Sequence, residues 1–281
     1  MRELDTQIIE KTTAELFIKA NYVLPDDLYK KIENSVSYEQ EALPRSILEK
    51  LLKNCAAAKE LNIPICQDTG MAVVFLEVGR EVHLTGKPLE EAVNAGVREA
   101  YDLGYMRKSI VRDPFFERVN TDDNTPAILF TRITEGDRVR ITAVPKGFGS
   151  ENMSAVRMFT PSAKKEDIVG FVVETVKKAG SNPCPPITVG VGLGGDFEYC
   201  AYLSKKALIR DTNLRHPDAR YAALEKEMCD AVNALGIGPQ GFGGETTCLA
   251  VNIETYPTHI AGLPCAVNIG CHVTRHASAE I

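Results

Sequence analysis

The chain has 281 residues, of which 44% are hydrophobic and 25% charged, and its formal net charge is −6. That is enough for one large domain or two smaller ones. The mild acidity and the lack of a basic run argue against nucleic acid, whose phosphates call for a basic patch. No apolar stretch reaches the roughly 18 residues of a membrane helix. The N-terminus, MRELDTQIIE, lacks the apolar core of a signal peptide, so a cytoplasmic protein with reduced thiols is expected.

Residues 1–60 read as a helical layer. LDTQIIEKTTAELFIKAN places Leu4, Ile8, Ile9, Leu16, Phe17 and Ala20 near one face. Pro25 with two acids, and then Pro44, open two further helices. Beyond residue 60 the pattern becomes mixed. MAVVFLEVG (71–79) is a strand, and residues 88–105 form a helix between Pro88 and Gly104. AILFTRI and DRVRITAVP predict two antiparallel strands joined by the turn TEGD, with Val139, Ile141 and Ala143 facing one way. KGFGSENMS (146–154) is a loop, and 164–180 a helix with Gly180 as its cap. ITVGVGLGG (187–195) is a buried strand. Helices follow over about 196–209 and 218–235, and two strands close the chain. The expected fold is α+β (mixed α/β), a single domain over 1–281 with a soft division at residue 60 into a helical layer and a mixed part.

Eight cysteines are present, none in a CxxC pair, so zinc-ribbon and thioredoxin readings lose their main support. Cys55, Cys200 and Cys229 lie in helical patterns, and Cys248 and Cys265 in apolar strands. These five read as small buried hydrophobes. Cys66 (PICQDTG), Cys184 (SNPCPPITVG) and Cys271 (VNIGCHVTRH) differ. Each stands at a strand or loop edge beside Pro or Gly and polar groups, where a structural thiol and a metal ligand are both open readings. Three thiolates leaving one coordination position open would suit a 4Fe–4S cluster whose free iron acts as a Lewis acid. Zinc or thiol chemistry in a binding protein, or a purely scaffolding chain, are the competing readings.

GLGGDFE and GPQGFGGE lack the P-loop pattern and a clean GxGxxG, so they read as tight turns and close backbone approach around a small polar ligand. His83 and His216 sit in solvated contexts. His259 and His272 stand at strand–loop junctions. Asp68, two residues before Gly70, is either a turn residue or a working carboxylate.

Taken together, PICQDTGMAVVFLEVG, SIVRDPFFERVNTDDNTPA, KGFGSENMS, PCPPITVGVGLGGDFE and VNIGCHVTRH resemble the α part of the class I, iron–sulfur fumarate hydratases, a family that includes the L(+)-tartrate dehydratase α subunit. The resemblance runs from about residue 5 to the C-terminus. It implies a 4Fe–4S cluster on Cys66, Cys184 and Cys271, and reversible hydration of fumarate to L-malate, a C4 dicarboxylate, without net redox change. It also implies Asp68 and His259 as the pair handling the leaving hydroxide, Gln67 in the active site, Arg107 on a substrate carboxylate, and Gly149 offering backbone N–H. Two departures stand out. Phe148 occupies a position that is glycine in KGGGS-type loops, and the second half of the one-chain enzymes is lacking. The resemblance therefore implies an α subunit completed by a separate β subunit in a hetero-oligomer, with L(+)-tartrate dehydration as the alternative activity.

Overall fold

The computed structural model describes residues 1–281. In chain order it contains β1 (Arg2–Asp5), α1 (Thr6–Tyr22), α2 (Asp26–Tyr38), α3 (Ala42–Leu61), β2 (Met71–Gly79), β3 (Val82–Thr85), α4 (Leu89–Leu103), β4 (Ile128–Thr134), β5 (Val139–Lys146), α5 (Phe148–Glu151), β6 (Ala155–Phe159), α6 (Lys165–Ala179), β7 (Ile187–Gly195), α7 (Phe197–Ala207), α8 (Ala219–Asn233), β8 (Cys248–Thr258), β9 (Leu263–Gly270) and β10 (Ala277–Glu280). The fold is α+β. No helix is long and apolar enough to cross a membrane.

The chain divides into two compact units. One comprises Met1–Pro25, Asn54–Phe148 and Arg275–Ile281, the other Asp26–Lys53 and Gly149–Thr274. The helices of residues 1–60 are thus shared between the units and do not form a layer of their own.

The first unit is built on the sheet β10-β5-β2-β4. Ala72, Val74, Leu76 and Val78 of β2 and Val139, Ile141 and Ala143 of β5 turn one face inward, as period-two alternation requires. Against them pack Ile9, Leu16, Phe17 and Ala20 of α1 and Val93, Val97, Ala100 and Tyr101 of α4. Ile8, one residue off this stripe, is exposed, and Leu4 reaches the core from β1. The TEGD turn does not make a hairpin. β2 lies between the two strands, parallel to β4 and antiparallel to β5. The turn therefore crosses the end of β2, where Gly79 N donates to Arg138 O (2.8 Å) and Glu81 N to Gly136 O (3.0 Å).

The second unit centres on β7 in the order β6-β9-β7-β8, with β8 parallel and β9 antiparallel to β7. Val189, Val191 and Leu193 face the core formed by α6 and α8 (Phe171, Val172, Val176, Met228, Val232). The alternating Gly190 and Gly192 face α7. A Cβ on them would stand 2.0 Å from Ser204 O and Cys200 O respectively, so helix and strand meet backbone to backbone. The buried Glu225 of α8 pairs with Arg210 and accepts Ile253 N at 2.9 Å, which ties α8 to β8.

Candidate active site

The stretch PICQDTG leads from α3 into β2. Asn54 Nδ2 donates to Ile65 O (2.8 Å) and Ile65 N to Asn21 O (2.9 Å), which fixes its start. Its end is fixed by Gly70, whose φ of +81° and whose hydrogen side, 2.8 Å from the Lys146 backbone for an added Cβ, suit no other residue. Tyr101 OH donates to Thr69 O (2.9 Å) and Gly70 O (2.7 Å), and Asn124 Nδ2 reaches Gly70 O (3.3 Å). Burial holds the Tyr101 phenol well above its ordinary range, so it stays a neutral donor.

On this frame Asp68 is held by main chain. Its Oδ1 accepts Gly70 N (3.0 Å), its Oδ2 accepts Phe148 N (3.0 Å), and its carbonyl accepts from the buried Arg275 guanidinium. The KGFG loop therefore wraps over the carboxylate through backbone. Phe148 takes part only by its N–H, since its ring is exposed, so the departure from a glycine loop leaves this contact intact.

Beside Asp68 opens a cleft of about 520 Å³ lined by Cys66, Gln67, Thr69 and Arg107, with Ile63 and Met106 as apolar wall. Thr69 Oγ1 donates to Arg107 O (3.0 Å), so the arginine segment is bound to the cysteine segment and the guanidinium stays exposed. Cys66 Sγ lies 3.8 Å from Gln67 Oε1. The first unit thus brings together four of the residues expected from sequence: Cys66, Gln67, Asp68 and Arg107.

The second unit brings Cys184 and Cys271 together. His272, next to Cys271, donates its N–H to Cys184 O (3.2 Å), and its Nδ1 lies 3.0 Å from the same oxygen. Cys184 adopts φ +54°, sparsely populated for a residue with a Cβ, in a turn closed by its N–H on Ser181 O (2.9 Å). Gln240 clamps the following residue, with both N and Nε2 at 2.7 Å from Pro185 O. The GPQGFGGE loop is therefore a brace for the Cys184 turn. Gly149 is exposed in the short helix α5, beside Asn182 O.

His259 does not join these thiols. It lies in the β8–β9 connection, exposed, its Nδ1 accepting Ala261 N (3.1 Å). That connection passes the Gly195 end of β7, whereas Cys271 follows the residue paired with Thr188, at the other end. At about 3.3 Å per residue the two ends are roughly 23 Å apart.

Seven of the eight thiols separate as their sequence contexts suggest; Cys229, expected to be buried within its helix, is partly exposed. Cys55, Cys200, Cys248 and Cys265 are buried, and burial pushes the Cys55 thiol up to about 11 and that of Cys265 up to about 12. Cys66 and Cys271 are partly exposed and Cys184 is exposed. Accessible loop thiols suit a cluster better than buried, firmly protonated ones, so the donor chemistry fits. Neither unit alone gathers three His, Cys, Asp or Glu side chains into a ligand set. Cys66 belongs to the first unit, and Cys184 and Cys271 to the second. Sequence reasoning missed Arg275 and Gln240; both lie in stretches it had quoted, VNIGCHVTRH and GPQGFGGE.

An accessible thiol, that of Cys66, beside an amide, a carboxylate and a guanidinium suits a metal-assisted enzyme for small acids. The comparisons agree. The profile of the family described as Fumarate hydratase (Fumerase) matches residues 10–280, and the chain belongs to this family of hydro-lyases. A Methanocaldococcus jannaschii protein, provisionally named L(+)-tartrate dehydratase subunit alpha, is 39% identical over 280 residues, covering 97% of each chain. Proteins named L(+)-tartrate dehydratase subunit alpha from Escherichia coli strains UTI89 and K12 are each 32% identical. They cover 98% and 97% of this chain and 90% and 89% of their own lengths.

Proposed function

We propose that the chain is the α subunit of a 4Fe–4S hydro-lyase that hydrates fumarate reversibly to L-malate, with a β subunit completing the site. The single observation that carries this reading is the cleft in which Cys66, Gln67 and Arg107 stand together with Asp68 braced beside them. Cys66, Cys184 and Cys271 would hold the cluster, which when bound supplies a Lewis-acidic iron for the substrate's oxygen atoms. Arg107, exposed and always charged, would take one substrate carboxylate in its planar fork. Gln67 would orient the substrate by hydrogen bonding, and the exposed backbone at Gly149 would offer an N–H. Asp68, its two oxygens each accepting one main-chain N–H, retains lone pairs with which to accept a proton. His259 would be its acid–base partner. Because His259 lies at the far end of the second unit's sheet from Cys184 and Cys271, it would reach a substrate at those thiols from a second copy of the chain.

A second reading, L(+)-tartrate dehydration, is favoured by the names of the relatives. Tartrate carries one more hydroxyl than malate and needs an additional polar partner. The test is anaerobic reconstitution with iron and sulfide, alone and with the β subunit, followed by side-by-side assay on fumarate, L-malate and L(+)-tartrate. About four irons per chain, lost in Cys66→Ser, Cys184→Ser and Cys271→Ser, and hydration of fumarate only with both subunits, are expected. Turnover by the single chain would remove the partner, preference for tartrate would select the second reading, and iron uptake unchanged in the three variants would overturn the ligand set.

A further inference from the structure

The second unit contains a pair of thiols that the hydratase chemistry does not use. Cys229 lies in the last turns of α8, and Cys248 opens β8. Cys229 Sγ points at Cys248 O (3.9 Å), which brings the helix thiol against the residue that carries the second one. Asn233 locks this helix–strand junction. Its Oδ1 accepts Cys248 N (2.8 Å) and Thr247 N (2.9 Å), while its Nδ2 reaches Cys248 O (3.2 Å) and Cys229 Sγ (3.8 Å).

The two thiols are unequal. Cys248 is buried, its Sγ donating to Ala250 O (3.2 Å), whereas Cys229 is partly exposed. The Cys248 side chain beside it holds the Cys229 thiol below its ordinary range against burial and the Asp230 carboxylate, with lesser help from the Arg215 and Lys31 cations. Burial holds Cys248 well above the ordinary range. A partly exposed thiol beside a second, buried one is the arrangement of an attacking and a resolving cysteine.

The geometry points to Cys229 and Cys248 as a dithiol that closes to a disulfide on reaction with hydrogen peroxide. The Cys229 thiolate attacks a peroxide oxygen. The S–O bond forms, the O–O bond breaks, and the leaving oxygen departs as water after taking a proton, giving a sulfenic acid. The Cys248 sulfur then attacks the Cys229 sulfur. The S–S bond forms, the S–O bond breaks, and the hydroxyl leaves as water with the Cys248 proton. Two thiols lose two electrons and two protons, and one peroxide becomes two waters. The bridge would pin α8 to the start of β8, where Thr247 O accepts Ile187 N (2.8 Å) and Cys248 is in register with Ile187, three residues beyond Cys184.

The test uses the full chain, treated with one equivalent of hydrogen peroxide, alkylated, and digested without reductant for mass spectrometry. A Cys229–Cys248 peptide two hydrogens lighter than its reduced parts, released by dithiothreitol, is expected. So is alkylation of Cys229 at neutral pH at least about tenfold faster than that of Cys55. In Cys248→Ser, a dimedone adduct should accumulate on Cys229; in Cys229→Ser, none should appear on Cys248. Wild-type protein that leaves Cys229 unlinked, or links it to another cysteine, overturns the assignment whether or not the variants fold.

Discussion

At the scale of single residues, Asp68 is the most informative. Its carboxylate meets two main-chain N–H groups, and an Asp→Asn change presents one oxygen and one NH₂ to two donors. Asp68→Asn should therefore cost about 1–2 kcal/mol of stability and lower fumarate hydration by about 10²–10⁴-fold. Urea unfolding read beside the assay separates the two effects. A fold lost outright, or activity within a few-fold of wild type, would show Asp68 to be a turn residue only. Sequence context sorted the thiols apart from Cys229, because a cysteine among alanines or in an apolar strand has few ways to meet water, whereas Cys229, in a helical pattern, is partly exposed. It did not reveal Arg275 or Gln240. Each holds a backbone carbonyl, of Asp68 or of Pro185, that is distant in sequence, and no local pattern encodes a partner 207 or 55 residues away.

At the scale of elements, sequence period fixes which way a side chain faces but not which strand lies alongside. The facing of Val139, Ile141 and Ala143 was legible. The insertion of β2 between β4 and β5 was not, because a four-residue link can close a hairpin or cross a neighbour's end. The burial of β7 was legible, but not that its alternating Gly190 and Gly192 meet the backbone of α7. Gly190→Ala should cost about 1–3 kcal/mol, because Ser204 O and the helix behind it must move. Gly170→Ala, on the exposed side of α6 with open space around the new methyl, should gain up to about 1 kcal/mol. Paired unfolding midpoints moving in the same direction would contradict this packing. The start of α8 offers a pH test. Asp218 caps the helix through Arg220 N (2.9 Å), and the Arg220 side chain with that N–H holds its carboxyl down at about 2. The folded value is depressed, so this cap's contribution is complete above the unfolded carboxylate range near pH 4 and fades as pH falls through about 2. An NMR titration of Asp218 should show the low midpoint, rising toward the ordinary value in Arg220→Ala. An ordinary midpoint in the wild type would remove the interaction.

At the scale of the whole molecule, the question is how many chains make one site. Cys184 and Cys271 stand at one end of β7 and His259 at the other, roughly 23 Å along a strand whose neighbours fix its length. No side-chain rotation covers that distance, so in the site proposed above His259 would meet a substrate held at the two thiols from another copy. Symmetric assembly would supply one histidine to each site. The prediction uses two variants, Asp68→Asn and His259→Asn, each expected to lose hydration on its own. Co-expressed with different tags and purified as mixed assemblies, they should regain activity, because one site then pairs an intact Asp68 with an intact His259. For mixed dimers, in which one site of two is intact, about half of the wild-type rate is expected. If both residues served a site within one chain, every mixed site would carry one defect and nothing would return. If His259→Asn is fully active by itself, the histidine has no part in the chemistry and Asp68 must work with a group on the β subunit.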